Sequence, residues 1–130
     1  MPEYRADPEM PEHRAVAVKP LDAAYFLDIL GDSHNSLGRH GAAIEVYHQA
    51  AQAFREQSAQ CAYALCLFKI ADSYRSLNQA EQAIRYLETC LPLLRDLGLS
   101  YHEKLALRDL ATCRARLYRE QPGASPLQLS

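Results

Sequence analysis

Three stretches of the sequence that lie forty residues apart resemble one another. LGDSHNSLG at 30–38 returns as IADSYRSLN at 70–78 and once more as LATCRARLY at 110–118. Leucine or isoleucine recurs in register at three columns of this repeat, namely Leu27, Leu67 and Leu107; Leu30, Ile70 and Leu110; and Leu37, Leu77 and Leu117. A repeat of this length indicates an array of supersecondary units, each of which buries its apolar face against the next.

The spacing of apolar residues inside each repeat is helical, and no run of β-branched residues alternates as in a strand. Five helices are predicted, over about 22–37, 41–56, 59–77, 78–98 and 100–118. We expect Asp22, Asn78 and Ser100 to cap the first, fourth and fifth helices. Pro92 falls inside the fourth helix and is expected to kink it.

The prolines mark the expected boundaries of one domain. Four of the seven lie in the first twenty residues and two in the last ten, with only Pro92 between them. Proline is costly inside helices, so we expect a flexible arm over 1–20, a helical domain over 21–118 and a flexible tail over 119–130. The N-terminus has no apolar block of a secretory signal, and a cytoplasmic location is therefore predicted.

Catalytic and metal-binding interpretations are not favoured. GDSH at 31–34 contains the box of a class of serine esterases, but Ser33 and Asp32 align with Ser73 and Asp72 of the repeat, and no aspartate is followed three positions on by histidine. EVYH at 45–48 has the spacing of a di-iron ligand pair, which requires a second such pair. We predict no enzymatic activity, no metal site and no cofactor.

Charge and cysteine content narrow the classes of partner. The formal net charge of −2 gives no general attraction to nucleic acid or to an anionic membrane, so neither is predicted as a partner. The four cysteines form no CxxC pair and lie among apolar residues, which indicates reduced, buried thiols.

The recurring residues resemble the tetratricopeptide repeat. The first unit carries the pattern at Leu27, Leu30, Gly31, Ala43, Tyr47 and Ala50, the second carries it at Leu67, Ile70, Ala71, Tyr74, Ala83 and Cys90, and the third carries the first half at Leu107, Leu110 and Ala111. The resemblance implies an all-α, right-handed stack of helical hairpins with about five helices, or two and a half repeats. The period is longer by about six residues than the usual one.

The resemblance implies a non-catalytic protein interaction module. In the family, the first helix of each unit lines a concave groove that holds an extended or helical peptide. By register, the groove positions are Tyr25, Asp28, Asp32 and Asn35 in unit one, Leu65, Phe68, Asp72 and Arg75 in unit two, and Leu105, Arg108 and Thr112 in unit three. We expect a peptide with a basic end near Asp28 and Asp32, an apolar anchor at Leu65 and Phe68, and an acidic end near Arg108.

Two further interpretations stay open. The forty-residue period is similar to that of kinesin light chains, of the spindle-orientation G-protein modulators and of the C-terminal arrays of actinobacterial antibiotic-regulatory proteins. The resemblance to the last group implies a regulatory or sensor segment beside a bacterial transcriptional regulator. The fifth helix lacks a hairpin partner, so that a homodimer through this terminal helix is also predicted as an alternative. The polar groove residues could equally be solvated surface.

Overall fold

The computed structural model describes residues 19–120. Within that range the chain forms five α-helices and no strand: α1 (Pro20–Ser36), α2 (His40–Glu56), α3 (Gln60–Ser76), α4 (Ala80–Asp96) and α5 (Ser100–Arg119). The predicted helix number and order are confirmed. α1 and α5 each extend one residue past the predicted domain boundary, and the rest of the expected arm and tail, apart from Lys19 and Glu120, lies outside the described residues.

The four loops have the same length and the same geometry. A new helix begins every twenty residues, and the middle residue of each three-residue loop has a positive φ, at Gly38 (77°), Ser58 (57°), Asn78 (64°) and Gly98 (72°). The amide of the next residue bonds the carbonyl five positions back, as Arg39 does to His34 at 2.8 Å. This is the Schellman turn. Each of the first four helices, together with its three-residue loop, takes up twenty residues, and two such segments give the period of forty residues.

The side-chain N-caps predicted for α1, α4 and α5 are wrong, because none of these helices has a side-chain cap bond. At α4 the N-cap is Gln79, whose amide closes the preceding turn on Tyr74 and whose carbonyl accepts a bond from Ala83 at 3.1 Å. One residue thus ends one helix and begins the next through its backbone alone. Asn78 instead takes the left-handed position, which asparagine tolerates better than most residues.

Asp22 and Ser100 lie inside helices. α1 begins two residues before Asp22, at Pro20, whose ring presets the helical φ. Ser100 is the first residue of α5, and Leu99 is its N-cap. α4 runs unbroken through Pro92, and the expected kink there stays a prediction.

Each helix packs against its neighbours in the chain, which produces a stack of hairpins. Small residues let the backbones approach closely, and large ones fill the space between them. Gly31 is an example: a Cβ built there would lie 2.5 Å from the ring of Tyr47. The fully buried small residues include Ala24, Ala43, Ala50, Ala64, Ala83, Cys90 and Ala106, and the buried large ones include Tyr47, Phe54, Leu87 and Leu94.

Candidate partner-binding groove

The first cluster of predicted groove residues joins α1 to α3. Lys69 of α3 lies between two carboxylates of α1, with its Nζ 3.0 Å from Asp28 Oδ1 and 3.1 Å from Asp32 Oδ1. The hydroxyl of Tyr47, which is buried, donates a hydrogen bond to Asp32. We call Asp28, Asp32, Tyr47 and Lys69 the first junction cluster. Its single ammonium offsets one of the two negative charges that the sequence places here.

The environment of this cluster shifts the pKa values of its members. Burial alone would lower the pKa of Lys69, but hydrogen bonds to Asp28 and Asp32 outweigh it, and the pKa is raised. Burial, followed by the hydrogen bond to Asp32, raises the pKa of Tyr47. Burial and the nearby Asp28 raise the pKa of the Cys66 thiol to about 12. The ammonium therefore stays charged, and the phenol and the thiol stay neutral, well beyond neutral pH.

Asn35, at the other end of α1, also binds within the protein. Its Oδ1 accepts hydrogen bonds from His40 Nδ1, at the start of α2, and from Ser73 Oγ of α3 at 3.0 Å. Ser73 is fully buried, so this bond satisfies a hydroxyl that has no access to water. Asn35 thus connects the α1–α2 turn to α3.

The second junction cluster joins α3 to α5 and consists of Asp72, Arg75, Arg108 and Asp109. Arg75 pairs with Asp72 on its own helix, and its Nε lies 3.9 Å from Asp109 Oδ2. Arg108 Nη2 lies 3.3 Å from Asp109 Oδ1. The hydrogen bond to Asp72 and the charges of both aspartates outweigh desolvation and raise the pKa of Arg75. Asp109 is 5% exposed, and these two cations lie beside its carboxylate where little water reaches it.

An apolar and aromatic patch lies between the middle of α3 and the first two turns of α5. The half-buried ring of Phe68 packs edge-on against His102, with the ring centroids 5.7 Å apart. Tyr101, which is 69% exposed, packs against the same histidine with the centroids 5.3 Å apart. Leu65 and Leu105 are half-buried three residues from Phe68 and His102 on the same helix faces. We call Leu65, Phe68, Tyr101, His102 and Leu105 the aromatic patch.

The remaining predicted groove residues stand apart from the clusters. Tyr25 is 47% exposed and packs edge-on against Phe54 of α2 at 4.8 Å. Thr112 is exposed, and its hydroxyl donates to the carbonyl of Arg108 at 3.0 Å. Arg108 itself has a side chain that is 68% exposed. It is the most accessible cation of the second junction cluster.

Sequence reasoning missed Lys69 and Asp109, which complete the two junction clusters. Both occupy the repeat position of Ile29 in unit one. A charged residue at a position that is apolar in the first unit is a signal that could have found them, because such a charge needs a partner when the next unit covers it.

The structure also bears on the motifs that suggested chemistry. Ser33 Oγ donates to the carbonyl of Ile29 at 3.1 Å within α1, and His48 shares a hydrogen bond of 3.1 Å with the hydroxyl of Tyr86. Three cysteines are buried as expected, whereas Cys61 is exposed. Within residues 19–120 no group of three or more histidine, cysteine or acidic side chains could hold a metal ion. In the same range no helix is long and apolar enough to cross a membrane.

Comparison with known proteins gives one finding for this arrangement. The family model of the tetratricopeptide repeat matches residues 22–96, which span most of α1 through α4. No curated protein matches the chain.

Proposed function

Because the chain belongs to the tetratricopeptide repeat family, whose repeats are generally protein interaction modules, we propose that its inner face holds a peptide segment of a partner protein. The inner face consists of the groove positions on α1, α3 and α5. Members of the family are typically non-catalytic scaffolds, and we extend that role to this chain. The free cysteines of the described helices fit a reducing, cytoplasmic location.

The aromatic patch is the observation that carries the proposal. Phe68 is only half-buried, although it lies in the middle of the stack, and Tyr101 extends the apolar surface into solvent. Large aromatic side chains of this kind contribute most to binding when a partner covers them and excludes water. An apolar side chain of the peptide would therefore anchor on Phe68.

The charges on either side of the patch give the peptide a direction. Arg108 is well exposed and attracts an acidic residue. At the other end, Lys69 leaves the pair Asp28 and Asp32 with one net negative charge, so that this end attracts a single basic residue. Such charges determine orientation and association rate more than affinity. We propose a segment that is basic at one end, apolar in its centre and acidic at the other end.

Selection of displayed random peptides against the full chain tests this proposal. The selected peptides should share an apolar anchor with an acidic residue to one side, and Phe68→Ala should weaken their binding by at least about tenfold, which is typical of a central anchor. Arg108→Glu should weaken binding by several-fold, with a smaller effect at high salt.

Arg114→Glu is the matched control for Arg108→Glu. Arg114 is a similarly exposed arginine on the same helix, but it pairs with Glu88 of α4, away from the inner face. Its substitution should leave peptide binding unchanged. Selection of no common motif, or equal binding by Phe68→Ala with its helicity intact, would contradict the proposal.

A further inference from the structure

α1 carries an apolar stripe on the face that it turns away from α2. Phe26, Ile29, Leu30 and Leu37 are 64%, 58%, 46% and 67% exposed. With Ser33 they follow the spacing of three, four and seven residues that places side chains on one side of a helix. We call Phe26, Ile29, Leu30, Ser33 and Leu37 the α1 stripe. Isolated exposed apolar residues are ordinary, but three large ones on one helix face, followed by Leu37 at the C-cap, indicate an interaction surface.

The positions of Phe26, Leu30 and Ser33 are buried in the later units, whereas Leu77, the counterpart of Leu37, is 37% exposed. Ile70 and Leu110, which correspond to Leu30, are 0% and 5% exposed. Cys66 and Ala106, which correspond to Phe26, are 1% and 0% exposed, because α2 and α4 pack onto α3 and α5. The α1 stripe therefore occupies a helix-packing position of the stack, and it presents a larger side chain at Phe26 than either covered counterpart.

We propose that the α1 stripe is the interface of a homodimer in which α1 packs antiparallel against α1 of a second copy. A two-fold axis near Asp32 sets Phe26 of each copy against Leu37 of the other and brings the Ile29, Leu30 and Ser33 positions together at the centre. Ser33 brings no unsatisfied donor to this centre, since its hydroxyl bonds the carbonyl of Ile29. A stripe that is apolar from end to end is suited to such self-pairing.

The charges at the two ends of the stripe favour a second copy in the antiparallel direction. Asp22, which is exposed, precedes the stripe by one turn of α1, and Arg39, also exposed, follows it in the next loop. Antiparallel pairing places Asp22 of each copy near Arg39 of the other, twice per dimer. Parallel pairing would place like charges together, which is unfavourable.

The surface area that this interface would bury is typical of a reversible dimer. The four apolar side chains and their neighbours would bury roughly 500 Å² on each copy, or about 1,000 Å² in total, which is the lower bound of specific interfaces. A dissociation constant in the micromolar range, on the order of 1–100 μM, is expected from an interface of this size.

Sedimentation equilibrium of the full chain over a range of concentrations tests the proposal. The wild type should dimerise, and Ile29→Glu should raise the dissociation constant by at least about a hundredfold, because the two-fold axis introduces the charge twice. The control is Leu107→Glu on α5, where an apolar residue of the same exposure as Leu30 is replaced. It should leave the dissociation constant unchanged, and circular dichroism should show that both variants keep their helices.

Charge exchange tests the direction of pairing. Asp22→Arg alone should weaken the dimer several-fold, and the double variant Asp22→Arg with Arg39→Asp should restore it. A wild type that stays monomeric at high concentration overturns the proposal, as does a dimer lost in Leu107→Glu and kept in Ile29→Glu. If removal of residues 2–18 converts a monomeric wild type into a dimer, the stripe is covered by the chain's own N-terminal segment, and the proposal also fails.

Discussion

The two complete hairpins, α1–α2 and α3–α4, share one register but fill it differently. In the first, Gly31 lies against the ring of Tyr47, whereas Ala71 and Leu87 occupy the same positions in the second. The smaller residue is thus paired with the larger ring and the larger residue with the smaller side chain. Close packing thus couples the two positions, so that a larger residue at one requires a smaller residue at the other.

The aspartates Asp32 and Asp72 occupy equivalent positions and obtain their cations from different places. Asp32 is paired with Lys69 of the following unit, whereas Asp72 is paired with Arg75 of its own helix. The position of Lys69 is therefore occupied by a cation at the first junction and by an anion, Asp109, at the second. The first junction therefore keeps one net negative charge, whereas the charges of the second balance, and the two charge patterns cannot be interchanged.

Exchanging Lys69 and Asp109 should give the largest loss of stability. In the double variant Lys69→Asp with Asp109→Lys, the composition is unchanged, but three carboxylates meet at the first junction and three cations at the second. We expect a loss of about 4 kcal/mol or more in the free energy of unfolding, as for disrupted buried pairs. Urea denaturation followed by circular dichroism measures it.

The control for this exchange inverts an exposed pair. Arg114 and Glu88 lie 2.8 Å apart with both side chains at least half exposed. Arg114→Glu with Glu88→Arg should change the free energy of unfolding by less than about 0.5 kcal/mol. A similar small change for Lys69 and Asp109 would show that their clusters do not stabilise the junctions.

Replacing Gly31 of the first hairpin by alanine, the residue at the same position of the second hairpin, should cause the next largest loss of stability. In Gly31→Ala the new Cβ would lie 2.5 Å from the ring of Tyr47, and we expect a loss of about 2–3 kcal/mol, as for overpacking. Adding Tyr47→Leu should recover part of that loss, because the pair then matches Ala71 and Leu87. Urea denaturation of the two single variants and the double variant measures this coupling.

Gly41→Ala is the control, since no atom lies within 4 Å of a Cβ at that position of α2. There alanine should stabilise the helix by about 0.5–1 kcal/mol. A Gly31→Ala variant as stable as Gly41→Ala would show that α1 and α2 can move apart without cost.

Removing the cation from each junction should have an unequal effect, which is on average smaller than that of Gly31→Ala. Arg75→Met leaves Asp109, whose side chain is 7% exposed, with only Arg108, and should cost about 2–3 kcal/mol. Lys69→Met should cost about 1 kcal/mol, because the side chains of Asp28 and Asp32, which are 20% and 50% exposed, are both more accessible to water than that of Asp109. Thermal or urea unfolding of both variants provides the comparison. Equal losses would contradict the role assigned to the burial of Asp109.

The fold was predictable from the sequence. Leu30, Ile70 and Leu110 recur forty residues apart, which predicts repeated units; the apolar spacing within each repeat predicts the five helices, and the resemblance to the tetratricopeptide repeat implies the hairpin stack. The N-caps could not be predicted in the same way, because the turn places Asn78 in the left-handed position and makes Gln79 the N-cap, which uses no side-chain hydrogen bond. The capping preferences of single residues were overridden by the turn geometry that all four loops share.

The groove was predicted less completely than the fold. Register identified Asp28, Asp32, Asp72 and Arg75, but it could not show that Lys69 and Asp109 would reach them, since those contacts join residues about forty positions apart. Whether a charge faces a partner or another part of the same chain depends on how closely neighbouring units approach. That approach depends on packing between the units, such as that of Ala50 and Phe54 of α2 with Cys66 of α3.

The smallest expected effect is a decrease in the free energy of unfolding at alkaline pH, which should arise at the first junction and not at the second. The raised pKa of Lys69 means that the folded state keeps a proton that the unfolded state begins to lose near 10.5, and the raised pKa of Tyr47 acts in the same direction from 10.0. Above about pH 10 the folded state then binds more protons, so stability falls as pH rises. Arg75 stays charged throughout this range.

The loss of stability at alkaline pH should be smaller in Tyr47→Phe and smaller still when Lys69→Met is added. Tyr101→Phe, at an exposed ring, should leave this loss unchanged. Urea midpoints at pH 8 and pH 11 measure it, and the same fall in all four proteins would place the alkaline sensitivity outside the first junction.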